Sequence, residues 1–283
     1  MARSRPDRCP GIVHPWPAED GGLVRIRVPG GQLPLSSLVA LAEVATEHGD
    51  GRIRTTGRAN LQVRGMPVDG DRLAEPALAA LEATGLLPSR AHDRVRNVLA
   101  SPQTGLTGGR ADLRPVVAAL DAHLLADESL AELPGRFLFT LDDGRGDLAD
   151  RHKDLGLVAL DGTRAQLRVG EGYGDVVALD DAAAALVALA HHFLSARGTG
   201  PAAAWHVDEL ADPLVVPSPP EPGADVRSAP LAFGTVPGGE HLAVGDGLTL
   251  NDLTTMAGRS AASVVITPWH GVLIPAPLPE ETP

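Results

Sequence analysis

Residues 22–28, Gly-Leu-Val-Arg-Ile-Arg-Val, alternate apolar and basic side chains and stop at Pro29-Gly30-Gly31, as a half-buried strand would. Residues 35–47 switch to helical spacing through Leu38, Leu41 and Val44, with Ser36 or Ser37 as cap and Gly49 past the end. The pattern then predicts strands over 51–56 and 59–65, and a helix over 71–84 closed by Gly85. Strand–helix–strand–strand–helix in about 70 residues reads as a small α+β sandwich. Further on it predicts helices over 112–125 and 180–197, with strands over 137–142, 156–160 and 164–169 between them. Residues 213–230 carry six prolines and no apolar period, which reads as a linker. A second strand–helix–strand–strand run follows, over 240–246, 248–258, 262–267 and 271–275. Val236-Pro-Gly-Gly239 echoes Val28-Pro-Gly-Gly31, a short trace of an internal repeat.

Composition narrows the function classes. The 283 residues carry 24 basic against 36 acidic side chains, a formal charge of −12. That balance argues against a phosphate-backbone binder and against an anionic membrane surface as partner. The longest uncharged apolar stretch, Ala182 to Ala190, is too short to span a bilayer, and no h-region follows the N-terminus, so the expectation is a cytoplasmic protein. The single cysteine, Cys9, excludes an internal disulfide and any four-cysteine metal site built from these residues alone. It reads as an incidental thiol. The ten histidines show no metal-ligand spacing, and no nucleophile elbow or phosphate-binding loop is present.

The most informative stretch is Arg52-Ile-Arg-Thr-Thr-Gly-Arg-Ala-Asn-Leu-Gln-Val-Arg-Gly65. Along a strand, Arg52, Arg54, Thr56, Arg58, Asn60, Gln62 and Arg64 share one face, while Ile53, Thr55, Ala59, Leu61 and Val63 share the other. Arg25 and Arg27 repeat the arrangement on the preceding strand. No acidic residue falls within 52–68, so these guanidiniums are expected to lack local partners. Two readings stand on the pattern alone: a solvated outer sheet face, or a pocket in which arginine forks hold a small polyanion.

The run Arg54-Thr-Thr-Gly-Arg58-Ala-Asn-Leu-Gln62 resembles the signature of the first ferredoxin-like half-domain in the sirohaem nitrite/sulfite reductase superfamily. Val24-Arg25-Ile-Arg27-Val-Pro-Gly-Gly31, Arg96-Asn97-Val98, Leu133-Pro-Gly-Arg136-Phe137, Asp154-Leu-Gly-Leu-Val158 and Thr267-Pro-Trp269 resemble further family segments in matching order. Within the superfamily, Cys9-Pro-Gly11 and Asn97-Val-Leu-Ala-Ser-Pro102 are most similar to the precorrin-3B synthases of cobalamin biosynthesis. The resemblance implies an α+β fold of two ferredoxin-like half-domains, over 12–90 and 231–277, separated by a mixed α/β segment over 91–212 and the linker. It implies an oxidoreductase acting on or holding a tetrapyrrole, either sirohaem or a uroporphyrinoid substrate. Arg25, Arg54, Arg58, Asn60, Gln62 and Arg64, with Arg96 and Arg136, would face its carboxylates or the reacting ligand.

The family also implies a 4Fe–4S cluster on four cysteines in a region after the second half-domain, where this sequence stops at Pro283 without a further cysteine. Leu138, Val265 and His270 stand where relatives carry cationic side chains. The expectation is therefore either an enzyme whose second subunit supplies the cluster cysteines, or a non-catalytic tetrapyrrole- or partner-binding module. No catalytic residue is assigned.

Overall fold

The computed structural model describes Asp7 and residues 9–257 and 262–276. In chain order the strands and helices begin with β1 (Trp16–Ala18), β2 (Gly21–Ile26), β3 (Gln32–Pro34), α1 (Leu35–His48), β4 (Arg54–Thr55), β5 (Leu61–Met66), β6 (Val68–Asp69), β7 (Arg72–Leu73) and α2 (Glu75–Ala83). The middle of the chain forms β8 (Val98–Ala100), α3 (Arg114–Ala126), β9 (Phe139–Asp142), β10 (Leu155–Ala159), β11 (Arg164–Val169), β12 (Gly172–Ala178) and α4 (Leu179–Ala196). The last elements are β13 (Gly234–Val236), β14 (Gly239–Ala243), α5 (Leu250–Ala257), β15 (Ser263–Thr267) and β16 (Gly271–Pro275). This is the expected α+β architecture. None of the described helices is long and apolar enough to cross a membrane.

Two compact units result. Ile12–Pro88 and Leu231–Pro283 make one, and Ser89–Pro230 with Met1–Gly11 the other. The first contains two halves of one topology. The sheet order β1-β2-β5-β4 is repeated as β13-β14-β16-β15, with α1 and α5 at equivalent places in the chain. The halves also reach into each other. β3, just before α1, pairs with β15, and Leu248, just before α5, exchanges both backbone hydrogen bonds with Ile53 beside β4.

Local chemistry accounts for the element ends. α1 buries Leu38, Leu41, Ala42 and Ala45 and ends where Gly49 donates back to Ala45. It starts at Leu35 after Pro34, so neither Ser36 nor Ser37 caps it. α2 starts four residues later than the periodicity predicts. The chain around Gly70, at φ +64°, folds into the β6–β7 hairpin, and Pro76 then opens the helix. Gly85, at φ +75°, follows its end as expected. Thr249 and Asp252 cap α5 reciprocally: Asp252 Oδ2 accepts from Thr249 N at 2.9 Å, and Thr249 Oγ1 accepts from Asp252 N at 3.3 Å. The predicted helix end at 258 and half-domain end at 277 lie outside the described residues.

In the other unit the sheet runs β12-β11-β10-β9-β8, parallel across β8, β9 and β10 and antiparallel beyond. α4 places Leu179, Ala182, Ala183, Leu186, Ala190 and Phe193 on one stripe that packs on the sheet, and α3 packs beside it through Val116, Leu120 and Leu124. Residues 213–230 are not a free linker. They lie against the opposite sheet face: Ser218 N donates to Tyr173 O, Gln166 Nε2 to Pro219 O, and Glu221 N to Gln166 Oε1. Prolines suit an edge that has few backbone donors to satisfy.

Candidate functional site

The parity of the arginine strand holds where apolar partners fix it. Leu61 and Val63 are fully buried, so Gln62 and Arg64 point to the other face. Pairing places Arg25 opposite Gln62 and Gln62 opposite Arg54, a continuous row across β2, β5 and β4. Arg25 Nη2 donates to Gln62 Oε1 at 3.3 Å. The row belongs to the first half alone. In the second half the pairing His241–Leu273–Val265 occupies the equivalent line.

The turn between β4 and β5 breaks the alternation. Ala59 adopts φ +54°, and Thr56 Oγ1 accepts from Arg58 N at 3.4 Å and Asn60 N at 3.2 Å. Asn60 is thereby turned inward, 2% exposed, and its Oδ1 accepts from Val28 N. It joins the ends of β2 and β5 and does not share the arginine face. Arg58 stays half-buried on the turn.

The cations are not bare. Arg54 Nη1 lies 2.7 Å from Asp50 Oδ2. Arg64 makes a two-pronged pair with Asp20 on the β1–β2 turn, at 3.1 and 3.4 Å, and its hydrogen bond holds the Asp20 carboxyl below the usual carboxylate range. Both acids lie outside the 52–68 window, and their partnership corrects the expectation of unpaired guanidiniums.

Beside the row is an open recess of about 470 Å³. Arg52, Arg54 and Thr55 line one side, and Val244, Gly245, Asp246 and His270 the other. His270, at φ +59°, lies within hydrogen-bonding distance of Thr55 O through Nδ1, 3.1 Å, so both halves contribute to this recess.

Arg96 and Arg136 belong to the other unit. Arg96 is buried and grips Asp121 of α3 through two hydrogen bonds of 2.6 and 2.7 Å. That contact ties the strand approach to α3 and occupies the Nε–Nη2 edge of the guanidinium. Arg136 is exposed in the turn before Phe137. No group of three or more His, Cys, Asp or Glu able to hold a metal ion occurs among the described residues. His92 lies 2.9 Å from Ser89 Oγ through Nδ1 and bonds the Asp127 carbonyl through Nε2, while Ser101 donates to Asp147, so Ser101 and His92 are not partners.

Sequence reasoning missed an acidic loop. Asp142 accepts from Gly144, Gly146 and Leu148, Asp143 pairs with Arg145, and Asp147 accepts from Ser101 Oγ at 2.7 Å. Burial, reinforced by Asp142, pushes Asp147 up to about 7. The run Asp142-Asp143-Gly-Arg-Gly-Asp147 between apolar strands was the available signal.

The nitrite/sulfite reductase ferredoxin-like half domain matches residues 16–75. A ferredoxin–nitrite reductase from Synechococcus elongatus is 33% identical over 130 residues, 44% of this chain and 25% of that protein. A precorrin-3B synthase from a Sinorhizobium species is 41% identical over 66 residues, 23% of this chain and 14% of that protein. The matched stretches thus span a quarter or less of these relatives. The structure of the Mycobacterium tuberculosis NirA protein superposes on 92% of this chain, covering 54% of its own, with TM-score 0.69 and 19% identity.

Proposed function

We propose, from the premise that the chain belongs to the nitrite/sulfite reductase superfamily, that its first half-domain holds a polycarboxylate tetrapyrrole as part of a precorrin-3B-synthase-like oxidoreductase of cobalamin biosynthesis. The observation carrying this is the Arg25–Gln62–Arg54 row beside the Arg52- and Arg54-lined recess. Arginine forks recognise carboxylates in two-pronged fashion, and a macrocycle ringed with acetates and propionates presents several at once. Gln62, already bonded to Arg25, positions that guanidinium and offers an amide donor to a neighbouring carboxylate. Arg58, on the adjoining turn, extends the cationic edge. Arg64 and Arg96 pair with Asp20 and Asp121 and neither lines the recess, so both are left out of the proposed ligand set.

A bound sirohaem would supply an iron centre for electron-transfer chemistry, whereas a metal-free uroporphyrinoid would itself be the substrate. A 4Fe–4S cluster does not fit the residues present, since four thiolates are needed and the sequence contains one cysteine. No redox step is therefore assigned to these side chains, and an active enzyme would take the cluster from cysteines outside these residues, as on a second subunit. The alternative reading is a tetrapyrrole- or partner-binding module without its own redox chemistry.

Titration with a uroporphyrin, followed by the shift of its main absorption band, tests the site. Saturable binding that weakens in Arg54→Ala supports it, and absence of binding to both uroporphyrin and sirohaem refutes it. Anaerobic reconstitution with iron and sulfide separates the two readings. A cluster spectrum appearing only when a cysteine-bearing partner is added supports the enzyme.

A further inference from the structure

The outer face of the β12-β11-β10-β9-β8 sheet carries two buried cations that the tetrapyrrole site does not use. Pairing sets Thr140 opposite Gly156, Gly156 opposite Arg168, and Arg168 opposite Tyr173. The glycine leaves the middle of that row hollow: a Cβ there would collide with the Thr140 carbonyl oxygen and lie 2.9 Å from its Oγ1. Residues 224–227 of the proline-rich segment roof the hollow, leaving a cavity of about 100 Å³. That is room for an ion of a few heavy atoms.

Asp142, Glu171 and Asp225 share the lining, yet neither buried cation forms an ion pair among the described residues. Lys153 is the only lysine of the chain and is 3% exposed. Its Nζ donates to the Ala149 carbonyl at 3.3 Å and, among the described residues, has no carboxylate within ion-pairing distance. Arg168, 7% exposed, donates to the Gly172 and Glu171 carbonyls and stacks over Tyr173 at 4.1 Å, so its partners are all neutral. Thr140 Oγ1 is buried with no partner at all. The acids nearby are committed or peripheral. Asp142 accepts three backbone N–H groups, Arg227 takes Asp150, Asp225 is exposed beside Tyr173, and Glu171 is exposed. Burial, with Arg168 second, depresses the Lys153 pKa. Two buried cations facing an unfilled donor are costly to maintain unless an anion joins them.

We propose that this cavity binds a small oxyanion, inorganic or a short carboxylate, with Lys153 and Arg168 as its cationic ligands and the Thr140 hydroxyl as a third donor. The site stands independently of the tetrapyrrole reading.

Lys153 makes the test direct. Protein grown with lysine labelled at Cε with an NMR-active carbon gives a single lysine resonance. Sulfate, phosphate and acetate are titrated in separately at constant ionic strength, with chloride as the balancing ion. The expected result is a saturable shift of that resonance and an upward move of its titration midpoint, because a bound anion favours the ammonium. Tighter saturation by sulfate or phosphate identifies an inorganic ligand, and tighter saturation by acetate a carboxylate. Arg168→Gln is expected to weaken binding about tenfold, and Thr140→Val several-fold while preserving shape. Should Arg168→Gln fail to fold, Thr140→Val alone decides. A resonance that ignores every anion, or a response equal to that of chloride and unchanged in Thr140→Val, overturns the proposal.

Discussion

Arg54→Ala is the sharpest probe of the arginine row, because Arg54 on β4 lines the recess whereas Arg64 on the neighbouring β5 does not. A ligand carboxylate about 4 Å from a half-buried guanidinium gains about 4 kcal/mol at an effective dielectric near 20. Asp50 already shares the Arg54 charge at 2.7 Å, and both ligand and side chain surrender water. The net loss on truncation should therefore fall to about 1–3 kcal/mol, or about 5- to 150-fold in Kd for uroporphyrin. The fold should survive, since a partly exposed ion pair contributes at most about 1 kcal/mol. Arg64→Ala, which deletes a guanidinium 41% exposed and closed onto Asp20, should leave Kd within about twofold. Asp50→Asn supplies a control of opposite sign: releasing Arg54 from its carboxylate should tighten binding. Absorbance titrations of all three variants decide the matter. Equal losses in Arg54→Ala and Arg64→Ala, or an Asp50→Asn protein that binds no better, would refute the reasoning.

Three other outcomes are expected. Arg96→Met should destabilise its unit by about 3 kcal/mol in urea titrations, because Asp121 is left without its two-pronged partner; unchanged stability with lost tetrapyrrole binding would return Arg96 to the ligand set. Asp147 keeps a proton in the folded state that the unfolded chain releases, so it should lower stability as pH rises from about 4 to about 7, by on the order of 4 kcal/mol. Asp147→Asn should abolish that decline and be the more stable protein at pH about 8, and parallel stability curves for the two proteins would exclude it. His241, fully buried between the Ala232 carbonyl and Thr267 Oγ1, is held below the usual histidine range by burial. Its contribution should be present above about pH 6.5 and lost as pH falls below it, where the unfolded chain binds the proton first; an NMR titration placing His241 above 6.5 would contradict this.

What could be read from the sequence was the part that neighbouring residues determine. Leu61 and Val63 bury themselves, so Gln62 and Arg64 must face outward, and the β2–β5 register follows. Asn60 could not be placed because one left-handed residue, Ala59, resets the alternation at the turn. The partners of Arg54 and Arg64 were invisible for a different reason: Asp20 is 44 residues away from Arg64 in the chain, and Asp50 precedes the strand. β12 escaped notice because Gly172 and Gly174 dilute its pattern, and residues 213–230 looked unstructured because prolines hide the side-chain and edge contacts that seat them. Lys153 offered only its rarity; no periodicity marks a buried cation.

The repeated topology accounts for where the arginine row falls. Both halves of the first unit offer a three-strand row at the same place, and each half lends a short segment to the other's sheet. Yet the second row, His241–Leu273–Val265, is buried and nearly free of charge, with His241 tied to two internal partners. An apolar row of that kind packs; a row of guanidiniums cannot, because burying it would require counter-charges the sequence places elsewhere. The first half therefore keeps its row at an open recess, and the second half supplies the facing side through Val244, Gly245, Asp246 and His270, the last meeting Thr55 beside Arg54. Replacing Val265 by arginine would test this division of labour: a second row able to accept charge would leave the unit stable, whereas a packing row should lose several kcal/mol on burying an unpaired guanidinium.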